Sequence, residues 1–384
     1  MKTLIPILIV ILALFAKNLV AQDNPAKAPT TEAKKEKKRE KEKKKGLADN
    51  QKAEDRTPEK NFETLWQVFN NRYAFFKVRG VDWQNQYRIY RPQVKGSTTD
   101  EELFDIMCKM LKPLNDGHVE LKSRTPKRKF CAEDPPRFWK EFTDAQIDQL
   151  FDITGKTLGQ HDFGKVAGTA TKILKYAKSK DYAYLRIIEL EGHKKQNLTR
   201  ALNEIAGDFK NLKGYIIDLR ECPGGDDSVL IEIIGRFTDK KRVAFHRKTK
   251  RGPGEDEFSP LKTWHIEPGG DVQFTGPIIL LTCDSVFSGG DVFALVAREL
   301  PHLTIVGEHT NGIFSYQFSG KLPNGWKYNL SDQVYLSANK VCYESKGVPV
   351  DVQVLNTKKD LALGKDSVVA TALKLLRKKT TLNQ

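Results

Sequence analysis

Cysteine is scarce in this chain, and no two cysteines form a CxxC pair. The 384 residues contain five, namely Cys108, Cys131, Cys222, Cys283 and Cys342. An odd number without repeated spacing does not indicate a disulfide framework, and the lack of CxxC pairs argues against a structural zinc site. No other ligand-binding signature stands out, so we predict neither a metal nor a cofactor.

Long apolar runs are missing after residue 21. Residues 1–21 combine Lys2, an apolar run over residues 4–16 and a small residue at Ala21, the pattern of a cleaved secretory signal peptide. The run is short for a membrane span, and no cysteine follows it as one would in a bacterial lipoprotein. We therefore predict a secreted or periplasmic protein with no transmembrane anchor after cleavage.

Large apolar residues are nearly absent from residues 25–60, which include the run KKEKKREKEKKK. Such a segment cannot bury enough surface to offset its chain entropy, so we predict a disordered Lys/Glu-rich tether over residues 22–60. A spacer role is favoured, and electrostatic association with an anionic surface is the alternative. The formal charge of the chain is +15, but no recognition motif accompanies the lysines, so we predict no nucleic-acid partner.

Aromatic and apolar residues return at helical spacing from Phe62 onward. Leu65 and Phe69 continue the pattern, and residues 101–111 repeat apolar side chains on one face. We predict a helical subdomain over residues 61–112, with its aromatic side chains in the core.

Short apolar runs and amphipathic helices alternate after residue 113. Residues 277–281 are wholly apolar, which is typical of a strand buried on both faces, and residues 215–219 predict a second buried strand. The alternation predicts an α/β core over residues 113–384 with a largely parallel sheet. Within it, we predict a short helix at residues 172–177 and a long polar loop at residues 252–270.

Ser288 lies where a predicted buried strand ends and a helix begins, in the sequence SGGD. A helix start offers unpaired N–H groups and the positive end of the helix dipole, both of which stabilise an oxyanion. The two glycines allow a substrate backbone to approach closely. The alternative is structural: Ser288 followed by Asp291 also fits a capping box, the more common use of serine before a helix.

His118 directly follows Asn115-Asp116-Gly117, a tight-turn signal, and leads into an alternating strand. A histidine at the mouth of a turn is a candidate for chemistry because loop ends face clefts. The alternative is a packed residue at the end of a strand.

Four segments, in this order, resemble the C-terminal processing (tail-specific) serine peptidases and the related tricorn protease core. They are LNDGHVEL, GYIIDLRECPGG, the strand followed by CDSVFSGGDVFA, and VGEHTNG followed by LPNG and YESKGVPVDVQV. The resemblance implies a ClpP/crotonase-like α/β core of mostly parallel strands and helices, preceded by the helical subdomain, with the cleft between them. The processing peptidases carry a PDZ domain, for which the stretch between His118 and Tyr182 is too short.

The resemblance also implies roles for individual residues. Ser288 corresponds to the nucleophile, Gly289 supplies one oxyanion N–H, and Gly224 or Gly225 supplies the other.

Two branches of the family differ in the base that activates the serine. One branch uses a lysine at the position of Ile313, which cannot take a proton. The tricorn-like branch uses a histidine from the DGH turn and a glutamate near the C-terminal end, here His118 and Glu344. That branch also has a hydroxyl residue just before the histidine, where this chain has Gly117.

The implied function is a secreted serine endopeptidase acting on peptide or protein substrates, with His118 as base and Glu344 orienting it. Its activity should rise with pH through a histidine pKa near ~6.5. The fold also resembles retinoid-binding modules of the interphotoreceptor type, so the alternative is a catalytically silent module that binds a peptide or an apolar ligand. A surface-adhesion protein would explain the tether but not the glycine turns.

Overall fold

The first helix among the described residues begins at Pro58, close to the start of the part that the structure describes. The computed structural model describes residues 56–124, 127–192 and 194–382, so the predicted signal peptide and most of the predicted tether lie outside the described residues. Pro58 occupies the first turn of the helix, and the side chain of Thr57 accepts a hydrogen bond from the N–H of Lys60. The predicted tether, which extended to residue 60, is therefore too long by three residues.

Helices occupy both the N-terminal region and the crossovers of the core. They are α1 (Pro58–Arg72), α2 (Trp83–Tyr90), α3 (Asp100–Leu111), α4 (Arg137–Glu141), α5 (Asp144–Gly159), α6 (Lys195–Ala206), α7 (Asp227–Ile234), α8 (Gly289–Ala297), α9 (Lys358–Ala362) and α10 (Ser367–Leu382). Short 3-10 helices lie at Arg91–Gln93, Lys112–Leu114, Phe209–Asn211 and Gly235–Phe237.

Fourteen strands of the described residues form three sheets. They are β1 (Glu120–Lys122), β2 (Lys129–Cys131), β3 (Ala167–Gly168), β4 (Leu174–Lys178), β5 (Tyr182–Ile187), β6 (Gly214–Asp218), β7 (Arg242–Thr249), β8 (Lys262–Ile266), β9 (Ile278–Thr282), β10 (Leu303–Gly307), β11 (Gln317–Lys321), β12 (Lys327–Ser331), β13 (Gln333–Leu336) and β14 (Val352–Gln353).

The largest sheet has seven strands in the order β14-β10-β9-β6-β5-β4-β3. Five of these strands run parallel to one another, namely β14, β10, β9, β6 and β5. Strands β4 and β3 extend the sheet at the β5 edge with antiparallel pairing. Every residue of β6 and β9 is buried. The mixed α/β fold with a mostly parallel core sheet is confirmed.

Two apolar layers explain why these central strands carry apolar side chains on both faces. On one face, Ile216 and Ile279 pack with residues of helix α10 such as Ala372. On the other face, Ile217 and Leu280 belong to a larger cluster that includes helices α6, α7 and α8. The alternating side chains of each strand therefore enter different layers.

The N-terminal helices pack against an antiparallel sheet of order β11-β12-β1-β2. Their shared cluster contains Phe62 and Phe104 from the helices together with Leu121, Tyr328 and Leu330 from the strands. This aromatic cluster crosses the predicted boundary at residue 112, because strands β1, β11 and β12 form one of its walls.

Two local predictions were wrong. Residues 172–177, predicted as a short helix, enter strand β4, which pairs with β5 along its whole length. The predicted loop at residues 252–270 contains strand β8, which pairs with β7 in a third sheet of order β13-β7-β8. In both cases pairing with a neighbouring strand outweighed the local pattern.

A buried ion cluster fixes the exit of strand β6. Arg220 Nη2 lies 2.7 Å from Asp218 Oδ2 and 3.0 Å from Asp366 Oδ2, and the three side chains are at most 1% exposed. The cluster ties the β6 exit to the start of helix α10. Within the described ranges, no helix is both long and apolar enough to cross a membrane.

Candidate active site

Ser288 immediately precedes helix α8 and has φ 59° and ψ −124°. A positive φ is uncommon for a residue with a Cβ and costs about 1–3 kcal/mol, so the surrounding structure must enforce it. The side chain is half-buried and makes no capping hydrogen bond to the helix that it precedes. The hydroxyl does not make the interaction that the capping alternative requires.

The Gly224–Gly225 turn lies directly against Ser288 and Gly289. A Cβ placed on Gly224 would lie 2.5 Å from Gly289 N and 2.8 Å from Ser288 Cβ. A Cβ on Gly289 would lie 2.6 Å from Gly225 O and 2.7 Å from Gly225 N. Only glycine allows this approach, and Gly224 also has φ +104°. The structure therefore brings the four residues together.

Strand β5 and the segment after it hold this turn in place. Leu190 N donates to Gly224 O at 2.8 Å, and Asp226 N donates to Leu190 O at 3.1 Å. These two bonds form an isolated parallel bridge between Leu190 and Gly225. The glycine turn is thus fixed by backbone hydrogen bonds that do not involve the α8 start.

His118 lies against the residue that precedes Ser288. Its ring centroid is 5.4 Å from that of Phe287, and its side chain is 4% exposed. The turn before it contains Asn115 with φ 42°, and His118 N donates to Asp116 Oδ1 at 2.9 Å. His118 Nδ1 is buried and has no hydrogen-bond partner among the described residues. A buried orphan nitrogen of this kind requires an explanation, and a catalytic role is one.

Ile313 lies beside the backbone of Ser288. Ser288 N donates to Ile313 O at 3.0 Å, and the Ile313 side chain is 2% exposed. Asp291 in the first turn of α8 accepts hydrogen bonds from Gly312 N at 2.8 Å and Ile313 N at 3.1 Å. Burial raises the pKa of Asp291 to about 7. The position to which the resemblance assigns the lysine base of the other branch, Ile313, thus lies next to Ser288 and carries an apolar side chain.

Glu344 is buried close to the Ile313 backbone and is bound on both oxygens. Its Oε1 accepts from Arg79 Nη2 at 2.9 Å, and its Oε2 accepts from Phe314 N at 3.0 Å. No hydrogen bond joins Glu344 to His118 within the described ranges. The structure brings Glu344 to the site but pairs it with Arg79.

Sequence analysis missed two residues of this site, Tyr73 and Arg79, which follow helix α1. The hydroxyl of Tyr73 donates to Asp116 Oδ2 at 3.0 Å, and Arg79 Nη1 donates to the backbone oxygen of Asn115. Tyr73 was predicted only as a core aromatic, and Arg79 lies 36 positions before Asn115. No local pattern signals contacts across such a separation.

The burial of the site determines its electrostatics. Burial lowers the pKa of His118 below its ordinary 6.5, although the charge of Asp116 and then that of Glu120 oppose this shift. Burial raises the pKa of Glu344, and the charge of Asp116 raises it further, while Arg79 opposes both. Neutral imidazole, the form that can accept a proton, is therefore favoured at neutral pH.

The described residues contain no group of three or more His, Cys, Asp or Glu side chains that could hold a metal ion. The site itself contains a hydroxyl, an imidazole, buried carboxylates and backbone N–H groups.

Comparison with known proteins identifies the family. A sequence model of Peptidase family S41 matches residues 181–354, and one of the Tricorn protease C1 domain matches residues 55–112. The solved structure of a protein provisionally named as a peptidase, from Parabacteroides merdae ATCC 43184, is 30% identical, with a TM-score of 0.70. The match covers 84% of this chain and 97% of that one. The chain belongs to Peptidase family S41.

The predicted family is thereby confirmed, and more distant S41 relatives match over shorter lengths. The carboxy-terminal-processing protease of Bartonella bacilliformis is 25% identical over 185 residues, 48% of this chain and 41% of that protein. Carboxy-terminal processing protease CtpA of Bacillus subtilis is 25% identical over 158 residues, 41% and 32% of the two chains. This S41 chain thus spans less than half the length of these two relatives.

The structure of mature CPAF complexed with lactacystin shares the S41 fold. It is 13% identical to this chain, with a TM-score of 0.61 over 85% of this chain and 99% of that one. At this identity the likeness concerns the fold alone.

Proposed function

We propose that the chain is a serine peptidase that hydrolyses peptide bonds through an acyl-enzyme on Ser288. The placement of Ser288 carries this proposal. The residue is half-buried, has a positive φ and precedes helix α8, between the Gly224–Gly225 turn and the ring of His118. Membership of Peptidase family S41 supports it independently.

In the first step, Ser288 Oγ attacks the carbonyl carbon of the scissile bond while His118 accepts the hydroxyl proton. A serine hydroxyl is a weak nucleophile and needs such a base. Because Nδ1 of His118 is buried, we assign Nε2 as the nitrogen that faces the hydroxyl. The lowered pKa of His118 keeps the ring neutral and ready to accept the proton.

The negative charge that develops on the carbonyl oxygen is stabilised by backbone N–H groups. Gly289 N–H, at the start of α8, is one donor, and Gly224 or Gly225 supplies the second. The N–H of Gly224 interacts with the sulfur of Cys222, which favours Gly225 as the second donor. The dipole of α8 adds to the stabilisation.

Collapse of the tetrahedral intermediate breaks the C–N bond, and His118 returns its proton to the leaving amine. A water molecule then attacks the ester carbonyl as His118 takes a proton from it. The second collapse releases the acid product and restores the Ser288 hydroxyl. Proton and charge therefore balance within Ser288, His118 and water.

Glu344 is the proposed orienting partner of His118. Its carboxylate is buried at the site, but Arg79 and Phe314 N occupy its two oxygens. No hydrogen bond joins it to His118 among the described residues, so we assign it an indirect part through Arg79, whose charge also acts on His118.

Peptides or proteins are the proposed substrates, because the curated relatives are named for carboxy-terminal processing. Export is proposed from the signal-peptide pattern of residues 1–21, with residues 22–57 as a spacer before helix α1. Edman sequencing of protein secreted by an expressing cell tests this, and a mature N-terminus near residue 22 is expected.

Labelling with a fluorophosphonate probe tests the proposed enzyme directly. The wild-type chain should be labelled covalently, Ser288→Ala should not, and Ser285→Ala should still be labelled as a neighbouring-serine control. A folded wild-type chain that resists the probe and cleaves no peptide library would contradict the proposal and leave the catalytically silent binding module.

A further inference from the structure

Two buried carboxylates, Asp116 and Glu344, lie at this site with a single arginine. Asp116 is 0% exposed and Glu344 is 2% exposed. Arg79 pairs directly with Glu344 at 2.9 Å, and its side chain is 7% exposed. One guanidinium cannot balance two ionised carboxylates, so the buried site favours one more proton or positive charge.

The carboxylate of Asp116 is hydrogen-bonded directly to the backbone of His118. Its Oδ1 accepts from His118 N at 2.9 Å, and its Oδ2 accepts from the Tyr73 hydroxyl at 3.0 Å. Both oxygens of this buried carboxylate therefore have hydrogen-bond donors. Among the charges that act on His118, that of Asp116 is the strongest that favours imidazolium.

The other charged groups that face His118 are Glu120 and Arg79. Glu120 forms ion pairs with two lysines, because Nζ of Lys122 and Nζ of Lys129 lie 2.6 Å and 2.9 Å from its carboxylate oxygens. Arg79 disfavours imidazolium; it forms a direct ion pair with Glu344, and the charge of Asp116 also acts on it. Among the described residues, Asp116 makes no direct ion pair with a lysine or arginine, and both of its oxygens accept hydrogen bonds.

We propose that Asp116 is a positioning residue that supplies the counter-charge for the His118 imidazolium, held in place by Tyr73, while Arg79 anchors Glu344 one step further away. The inference rests on the proposed function. It gives the segment after helix α1 a part in catalysis, because Tyr73 and Arg79 both come from it.

The charge balance of acylation accounts for this arrangement. As the Ser288 Oγ–carbon bond forms, the hydroxyl proton moves to His118, and the carbonyl electron pair moves to the oxygen. The ring becomes positive in the same turn as the Asp116 carboxylate, which is bound to the backbone N–H of His118, while the oxyanion is stabilised by the backbone donors. In a buried site such a pairing is worth far more than in water.

The pH dependence of kcat/KM in two variants tests this network, because the expected shifts have opposite directions. Asp116→Asn removes a negative charge and should move the acid limb of kcat/KM to lower pH, because the pKa of His118 falls further. Arg79→Met removes a positive charge and should move the same limb to higher pH. Structural damage alone would not shift the two limbs in opposite directions.

Turnover supplies a second measurement. Asp116→Asn should lower kcat by roughly 10- to 100-fold, the scale of one charge-assisted contact, with KM changed much less. Tyr73→Phe should lower kcat in the same way but keep the wild-type limb, because the charge of Asp116 remains. Glu120→Gln is the matched carboxylate control and should shift the limb less than Asp116→Asn.

The outcomes separate this inference from the proposed function. If Ser288→Ala abolishes labelling but Asp116→Asn keeps the wild-type kcat and acid limb, the inference is wrong and the enzyme assignment stands. If Ser288→Ala keeps its activity, the proposed function itself is wrong. If Asp116→Asn does not fold, two other variants decide. An unchanged kcat in Tyr73→Phe would overturn the inference, and so would an acid limb of kcat/KM that moves to lower pH in Arg79→Met.

Discussion

Replacing Gly224 with alanine should damage the site through a clash whose size the structure gives. The new Cβ would lie 2.5 Å from Gly289 N, 2.7 Å from Phe287 O and 2.8 Å from Ser288 Cβ. The first of these falls about 0.9 Å short of the 3.4 Å at which ordinary contacts begin. All three atoms belong to residues 287–289, so this segment must move to admit the methyl group.

The expected cost has two parts. A positive φ in a residue other than glycine costs about 1–3 kcal/mol, and overpacking against fixed backbone adds about 1–3 kcal/mol. Displacing one oxyanion donor typically lowers turnover about 100- to 1,000-fold. We therefore expect Gly224→Ala to lose about 2–6 kcal/mol of unfolding free energy and most of its reactivity with a fluorophosphonate probe.

Gly325 provides a matched control. Its φ is +87°, but a Cβ there would meet nothing within 4 Å. Gly325→Ala should therefore lose only the backbone contribution of about 1–3 kcal/mol and keep the wild-type labelling rate. Urea unfolding and labelling kinetics, measured on both variants, separate strain from the clash. A Gly224→Ala protein labelled at the wild-type rate would refute the proximity argument.

Three further outcomes are expected. His118→Ala should remove nearly all fluorophosphonate labelling of Ser288, whereas Glu344→Gln should reduce the labelling rate less; labelling kinetics of the two variants check this. In the wild-type chain, kcat/KM should rise through a pKa below 6.5, because burial lowers that of His118 and the neutral ring is the base; a limb above 6.5 would contradict this. Arg220→Met leaves Asp218 and Asp366 without their cation and should lower the free energy of unfolding, measured with urea, by about 3–5 kcal/mol. A decrease below about 1 kcal/mol would contradict a stabilising role for this ion cluster.

The central sheet and the turns at its edge were accessible from sequence for a physical reason. Strands β6 and β9 are buried on both faces, so their sequences are continuous apolar runs that end at glycine-rich turns. The same runs place Ser288 and Gly224 at the carboxyl edge of neighbouring parallel strands, and the two turns do touch. The roles of these residues stay predictions until the variants are measured.

Contacts between distant segments could not be predicted in this way. Tyr73 shows an aromatic pattern that any core helix would share, and its hydrogen bond to Asp116 spans 43 positions. Strand β4 was mistaken for a helix because a short apolar run fits both periods, and only its pairing with β5 decides. Likewise, the sheet that joins β1 to β12 merges regions about 200 residues apart, as in the pair Glu120 and Asn329.

The aromatic cluster beneath helices α1, α2 and α3 has a consequence for how the protein would fail under stress. His118 is followed directly by Val119 of that cluster, whereas Ser288 is flanked by Val286 and Val292 of the parallel-sheet core. The proposed nucleophile and its base thus depend on separate hydrophobic assemblies. Partial unfolding of the aromatic cluster would separate His118 from Ser288 while the parallel sheet stays intact. Heat or denaturant would therefore inactivate such an enzyme before the whole chain unfolds.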